Sequence, residues 1–312
     1  MKARLIKLLD YFFVLRPTLF YPVWTVALAG FWLQERSQTT TIVEPISDGH
    51  FLLFLTALTL VLGASFLLNQ TTDILSDKIN NKLYLIANGH ISLRAAHRET
   101  AVLVGLSLFT VAWLRIDLAL WLLLAFLVTG WAYSAPPLLL KNRPLAGIFA
   151  NLAGAGIIFA FGWCLQGALS MATLWHALPY LFGVLAVYFF TTIPDLVGDQ
   201  AADKITAAVK WGPRNTLIAG LIAHVIAILS AALLRDWILL SAAVLLLPFF
   251  LRSLQRKDNA SVLQTGKYAV LILSLWICLR FPFYLLLLSL LFFFSKWYYR
   301  HRFQVSYPSL HT

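Results

Sequence analysis

The sequence predicts an all-α membrane protein with nine to ten transmembrane helices around a central cavity, and three observations carry that expectation. The 312 residues are 60% hydrophobic and only 12% charged, with a mean hydropathy of +0.79, whereas a soluble domain carries about 25% charge. Apolar stretches of roughly 17–25 residues, each long enough to cross a bilayer as a helix, recur along the whole chain. These runs are continuous rather than alternating. Lipid leaves only helices or a closed barrel as spanning structures, and continuous apolar runs select helices.

In chain order, the first 15 residues, MKARLIKLLDYFFVL, set basic residues beside an apolar face. They predict a short amphipathic helix on the membrane surface, or simply the basic flank of the first span. No small-residue cleavage site follows a short apolar core, so no removable signal peptide is expected. Spans are predicted near 17–34, 51–70, 98–114, 117–134, 145–166, 172–193, 214–234, 237–252, 266–280 and 282–298. The stretch from Lys267 to Tyr298 would measure about 48 Å as one helix, against a bilayer core of about 30 Å. Pro282 offers a break, because proline ends or kinks a helix. Ten helices are therefore preferred over nine. The chain forms a single domain over 1–312, with 266–312 contributing extra C-terminal helices and a basic tail.

The net charge of +11 raises the question of nucleic acid, and its distribution answers it. Twenty of the 24 Lys and Arg fall on one side of the predicted spans, leaving Arg36, Arg115, Arg235 and Arg280 on the other. This split follows the positive-inside rule and places the basic side in the cytoplasm. The excess is topological and requires no nucleic-acid partner. Cys164 and Cys278 lie in apolar spans and read as small buried hydrophobes rather than a disulfide or metal pair.

Against this background two acidic clusters stand out: Asn69, Asp73 and Asp77, and Asp195, Asp199 and Asp203. Each follows an apolar run, and both runs end on the basic side. On a helix, the i, i+4, i+8 spacing forms one stripe, so the two stripes can face each other at one depth. Carboxylate and amide oxygens suit a hard cation, Mg²⁺ above all. Mg²⁺ keeps few protein ligands and favours phosphate oxygens, so such a site can clamp a diphosphate. Basic residues surround the stripes: Lys78 and Lys82, Lys141 and Arg143, Lys204 and Lys210. Any of them could grip phosphate oxygens, and each alone also fits a topology-setting loop charge. Tyr133-Ser-Ala-Pro-Pro-Leu-Leu-Leu-Lys141 closes the fourth span with an extended segment. Tyr133 fits either the cavity or an interfacial belt. The histidines lack metal-ligand spacing and receive no role.

These elements together resemble the UbiA-type intramembrane prenyltransferase superfamily over roughly residues 12–235. The resemblance rests on Leu15-Arg16-Pro17, the Asn69–Asp77 cluster, Asn80, Gly89-His-Ile-Ser92, Tyr133-Ser-Ala-Pro-Pro137 with Lys141, and Asp195-Leu-Val-Gly-Asp199 with Thr206. The Tyr-Ser-x-Pro-Pro element looks most like the branch that includes chlorophyll, homogentisate, archaeal-lipid and carotenoid prenyltransferases. The resemblance implies a cavity open sideways to lipid and two Mg²⁺ holding an isoprenyl diphosphate beneath a cytoplasmic cap. It maps metal binding onto Asn69, Asp73, Asp77, Asp195 and Asp199, with Asp73, Asp195 and Asp199 carrying the catalytic weight. Lys141 and Lys204, with Lys82 and Tyr133, fall where diphosphate is held. The family pattern often has Asp where this chain has Gln70, Arg-Pro where it has Tyr84-Leu85, and Arg where it has Leu139.

The expected activity is Mg²⁺-dependent transfer of an isoprenyl group to a lipophilic acceptor, a quinone or aromatic precursor, within a multi-pass membrane protein. Its active site is expected to face the cytoplasm. Two alternatives keep the ionisation step and change its partner: a non-aromatic acceptor, as in carotenoid elongation or lipid prenylation, or terpene cyclisation. A cation-coupled transporter is the remote alternative, since no Gly/Pro-broken mid-membrane span is evident. The sequence leaves the oligomeric state open.

Overall fold

In the computed structural model, residues 2–37, 48–80, 82 and 85–309 are described, excepting the side chains of 2–5, 37, 48 and 49. Among them there are helices and connecting turns and no strand. An N-terminal helix α1 (Lys2–Phe13) leads into α2 (Phe20–Ser37), followed by α3 (Asp48–Thr72) and the short α4 (Ile74–Ile79). Next come α5 (Leu93–Ala112) and α6 (Ile116–Ala125), the latter running on as π-helical turns over Phe126–Ala132. Helices α7 (Pro144–Cys164) and α8 (Met171–Thr191) precede the short α9 (Leu196–Ala201). The chain closes with α10 (Ala207–Leu233), α11 (Trp237–Arg256), α12 (Asn259–Arg280) and α13 (Pro282–Phe303).

Each predicted span thus corresponds to a helix. Eight segments of the described chain are long and apolar enough to cross a membrane, as befits an integral, multi-pass membrane protein. The apolar helix Ile116–Ala132 falls short of that length. The first two turns of α5 carry Arg94, His97, Arg98 and Glu99. Phe281 (φ −122°, ψ 80°) is non-helical and separates α12 from α13, the break expected from Pro282.

The bundle is assembled by pairing α2 with α7, α3 with α5, and α8 with α10. Its tightest crossing needs glycine: a Cβ on Gly162 would stand 1.9 Å from the Ala27 carbonyl oxygen. Backbone meets backbone there, which is how helices gain contact where lipid supplies no hydrophobic drive. Three of the four sparse-side arginines share one end of the bundle. Arg36 donates to the Arg235 carbonyl (3.3 Å), and Arg280 pairs with Glu35 (3.0 Å) on the same helix as Arg36. The two acidic clusters lie at the other end, where the short helices α4 and α9 pack on each other.

Candidate active site

The acidic clusters are not continuous helical stripes, which corrects the expectation from spacing alone. Helix α3 stops at Thr72, and Asp73 (φ −105°, ψ 12°) forms the joint before α4. The Thr71 and Thr72 hydroxyls bond back to the carbonyls of Leu68 (2.7 Å) and Asn69 (2.9 Å). Such side-chain bonds compete with the helical ladder and end it. In the second cluster Pro194 follows α8 and cannot continue it, so Asp195 opens α9 and Asp199 sits within it. Asp203 lies beyond, exposed and left-handed (φ 54°). It takes no part in the cluster, and Lys78 is exposed as well.

Breaking both helices brings the remaining acids together. Lys82 reaches both oxygens of Asp195 at 2.7 Å and Asp77 at 3.7 Å. Lys204 pairs with Asp73 and lies 3.7 Å from Asp199. Each lysine therefore bridges one acid from each cluster. Lys141 adds a third cation, donating to Asp73 Oδ1 (2.7 Å) and Thr72 Oγ1 (2.6 Å). A left-handed turn at Leu139 (φ 44°, ψ 49°) precedes it and folds the loop back onto the end of α3. Asn69 meets Ser134 at 3.2 Å. Turned so that both amide ends are satisfied, Asn69 donates from its nitrogen to Asp73 Oδ2 (3.1 Å), and its oxygen accepts from Ser134 Oγ and Lys141 Nζ (3.2 Å each).

Asn80 fixes the distance between the two short helices. Its Oδ1 accepts from the Gly198 N–H (3.0 Å), and a Cβ on Gly198 would stand 2.4 Å from Asn80 Nδ2. The glycine of the Asp195-x-x-Gly198-Asp199 motif thus permits the close approach. Tyr133 ends the π-helical turns, half-buried; it faces Asn151 on α7 and lies within the field of Asp73, Asp195 and Asp199. A cavity of about 400 Å³ adjoins the cluster, lined by Thr72, Leu75, Ser76, Pro136, Leu139, Lys141, Asn142, Ala202 and Lys204.

Lys141, Lys204, Asp77 and Asp199 are all buried (5–8% exposed), and this shapes their ionisation. Burial pushes Asp77 up to about 6 against the pull of Lys82. Asp199 rises to about 6 for the same reason, against Lys204. At Asp73 burial also works upward, but Lys141 and Lys204 outweigh it and hold the carboxyl below its ordinary range.

The Gln70 departure does not remove a ligand from this cluster. Gln70 is 1% exposed and points the other way, donating from Nε2 to the carbonyls of Val14 (2.6 Å) and Phe66 (3.2 Å). Its α3 face also carries Gly63, against which Leu15 packs, and Thr59, which accepts from Trp24 (2.7 Å). Gln70 thereby ties α3 to the elbow at left-handed Arg16 (φ 57°), whose charge acts on Asp77. Leu139 lines the adjoining cavity, and Tyr84 lies outside the described residues. Sequence reasoning missed Thr72 and Ser76, which accept from Lys141 and Lys204 (2.6 and 2.7 Å). Their place beside the acids, in the turns that carry Asp73, was the available signal.

The oxygen-rich donor set suits Mg²⁺ in kind. Among the described residues, no group of three or more His, Cys, Asp or Glu side chains is placed to hold a metal ion by itself.

The family model for the UbiA prenyltransferase family matches residues 23–265. The chain belongs to the UbiA prenyltransferase family. It is similar to a homogentisate phytyltransferase of Synechocystis sp., 31% identical over 166 residues, covering 50% of this chain and 53% of that one. A probable chloroplastic homogentisate phytyltransferase 2 of Oryza sativa subsp. japonica is 30% identical over 181 residues, covering 54% and 47%. The chain thus spans about half the length of these relatives. Among solved structures, a UbiA homolog from Archaeoglobus fulgidus bound to DMAPP and Mg²⁺ superposes with a TM-score of 0.66 at 21% identity. That match covers 86% of this chain and 98% of the other. A UbiA homolog from Aeropyrum pernix K1 gives 0.64 at 17% identity, over 84% and 97%. At these identities the structural likeness speaks for the UbiA fold.

Proposed function

We propose that the protein is a Mg²⁺-dependent membrane prenyltransferase, moving an isoprenyl group from its diphosphate to a lipophilic acceptor, with an aromatic ring favoured by the homogentisate relatives. The observation that carries this reading is the interlocking of two acidic clusters by Lys82 and Lys204, with Lys141 beside them. A ten-span topology would put this cluster at the cytoplasmic face, the side that takes 20 of the 24 cations and that the positive-inside rule favours.

Asn69, Asp73, Asp77, Asp195 and Asp199 would hold Mg²⁺, as two ions, which would supply charge neutralisation for the departing diphosphate. Lys141, Lys204 and Lys82 donate to phosphate oxygens, so the leaving group departs from a site already rich in donors. Asp73 keeps its charge under these conditions because two ammonium groups flank it. Tyr133 stands between cluster and apolar interior, where its ring can face the allylic cation. The surrounding apolar helices exclude water, which would otherwise capture that cation. The acceptor's electron pair then forms the new carbon–carbon bond, and the acceptor loses its proton.

The test is incubation of purified protein with prenyl diphosphates of several lengths, with and without an added aromatic acceptor, followed by product mass. A prenylated aromatic supports the reading. A product that forms unchanged without the acceptor points to cyclisation or to a membrane-derived partner instead.

A further inference from the structure

Helix α13 lies beyond the residues matched by the family model, and its outer face carries a feature unrelated to the aspartate site. Leu286, Phe293 and Arg300 follow one another at i, i+7 spacing and so share a column, with Leu290 and Lys296 beside them. Leu286, Leu290 and Phe293 are 60%, 59% and 67% exposed, an apolar stripe in a membrane-crossing helix that turns toward lipid. At the end of the helix Gln304 adopts a left-handed conformation (φ 58°, ψ 29°). The chain doubles back, and the Val305 N–H reaches the Tyr299 carbonyl at 3.4 Å. The fold-back makes a cavity of about 220 Å³ lined by Lys296, Arg300, Gln304, Val305 and Ser306.

The charges here are unequal in their partners. Arg302 is neutralised by Asp10, donating to its two oxygens at 3.0 and 3.1 Å. Lys296 and Arg300 have no carboxylate partner among the described residues. Two unneutralised cations, an amide and a hydroxyl in one small cavity suit an anion with several oxygens. Exposed Trp297, adjacent in sequence to Lys296, suits the headgroup depth of a bilayer. The tail lies at the aspartate end of the bundle, since Tyr307 meets Thr18 (2.8 Å) and Arg302 reaches His90 (3.4 Å).

We propose that this cavity binds the phosphate head of an anionic bilayer phospholipid, whose acyl chain lies along Leu286, Leu290 and Phe293. Basic residues that only set orientation require neither a cavity nor discrimination among lipids. A lipid held here brings both of its parts to matching surface: an anionic head to Lys296 and Arg300, hydrocarbon to the apolar column.

The test reads lipid occupancy rather than turnover, so it stands or falls apart from the proposed reaction. Full-length protein in detergent is titrated with phosphatidylglycerol, phosphatidylcholine or inorganic phosphate, with thermal unfolding and native mass spectrometry as readouts. Phosphatidylglycerol is expected to saturate a site and raise the unfolding temperature, while the other two probes do neither. Each cation near an anionic headgroup contributes about fivefold in affinity, so Lys296→Gln with Arg300→Gln should weaken phosphatidylglycerol binding about 30-fold. The same pair of changes at Arg252 and Arg256, exposed on α11, should leave the affinity within about twofold. Equal losses in the two double variants would show diffuse attraction and overturn the site. Equal binding of phosphatidylcholine, or equal stabilisation by inorganic phosphate, would overturn the anionic lipid as its occupant. Should the Lys296/Arg300 variant not fold, the comparison of the three probes on the unaltered protein still decides.

Discussion

Returning the acid that the family often carries beside the motif asparagine should weaken this protein without improving its metal site. Gln70 is 1% exposed and donates to the Val14 carbonyl at 2.6 Å, away from Asp73. Gln70→Leu removes that hydrogen bond, worth about 1 kcal/mol net, and deprives a buried carbonyl of its donor, a further cost of about 1–3 kcal/mol. The expected loss is therefore about 2–4 kcal/mol. Gln70→Asp should cost at least as much, because a carboxylate cannot donate to a carbonyl and would be buried there. The assay is thermal unfolding of purified protein, paired with Mg²⁺ titration of diphosphate release from a prenyl diphosphate. Both variants should unfold earlier. In Gln70→Asp the half-saturating Mg²⁺ should be no lower than in the parent. A Gln70→Asp protein of full stability with several-fold tighter Mg²⁺ dependence would put residue 70 on the metal and refute the geometry described for α3.

Three further outcomes follow from the same cluster. Gly198→Ala places a Cβ where Asn80 Nδ2 stands 2.4 Å away, so the Asn80 amide or α9 must give way and the Asn80–Gly198 bond that spaces the two short helices is lost; half-saturating Mg²⁺ should rise about tenfold, checked by the same titration. Asp77 and Asp199 are held up to about 6 by burial. Protons must therefore leave before the cation binds, and half-saturating Mg²⁺ should be flat above about pH 7 and climb as pH falls below about 6. A pH-independent Mg²⁺ requirement down to about pH 5 would contradict those positions. Lys204→Met removes the bridge between Asp73 and Asp199, and the KM for prenyl diphosphate should rise more than tenfold while the KM for the acceptor stays within about twofold, measured by steady-state kinetics.

The sequence carried the helices well because hydrocarbon selects for length and apolarity, both visible in one dimension, although eight described segments rather than ten are long and apolar enough to cross a membrane. It also carried the break at Phe281, since proline acts locally. It misplaced the acids on continuous helices, because the joints at Asp73 and Asp195 depend on Thr71 and Thr72 bonding backwards and on the packing of α4 against α9. Once the helix ends, spacing no longer fixes where a side chain points. Gln70 shows the consequence: it is adjacent to Asn69 in the sequence yet serves the elbow at Arg16 rather than the cluster. The π-helical turns over Phe126–Ala132 shift the register before Tyr133, and no residue pattern announces them. The burial of Lys141 was equally hidden, as it requires a left-handed conformation at Leu139, a residue type that rarely adopts it.

The central claim is that lysine-bridged acids from both clusters act together on a prenyl diphosphate. The most direct measurement is diphosphate release by the purified protein, with Mg²⁺ or with EDTA, in the parent and in Asp73→Ala and Asp195→Ala. Release should require Mg²⁺ and fall by more than about 100-fold in each variant, while both proteins still insert into membranes. Release that persists in EDTA, or full activity in either variant, would contradict the account.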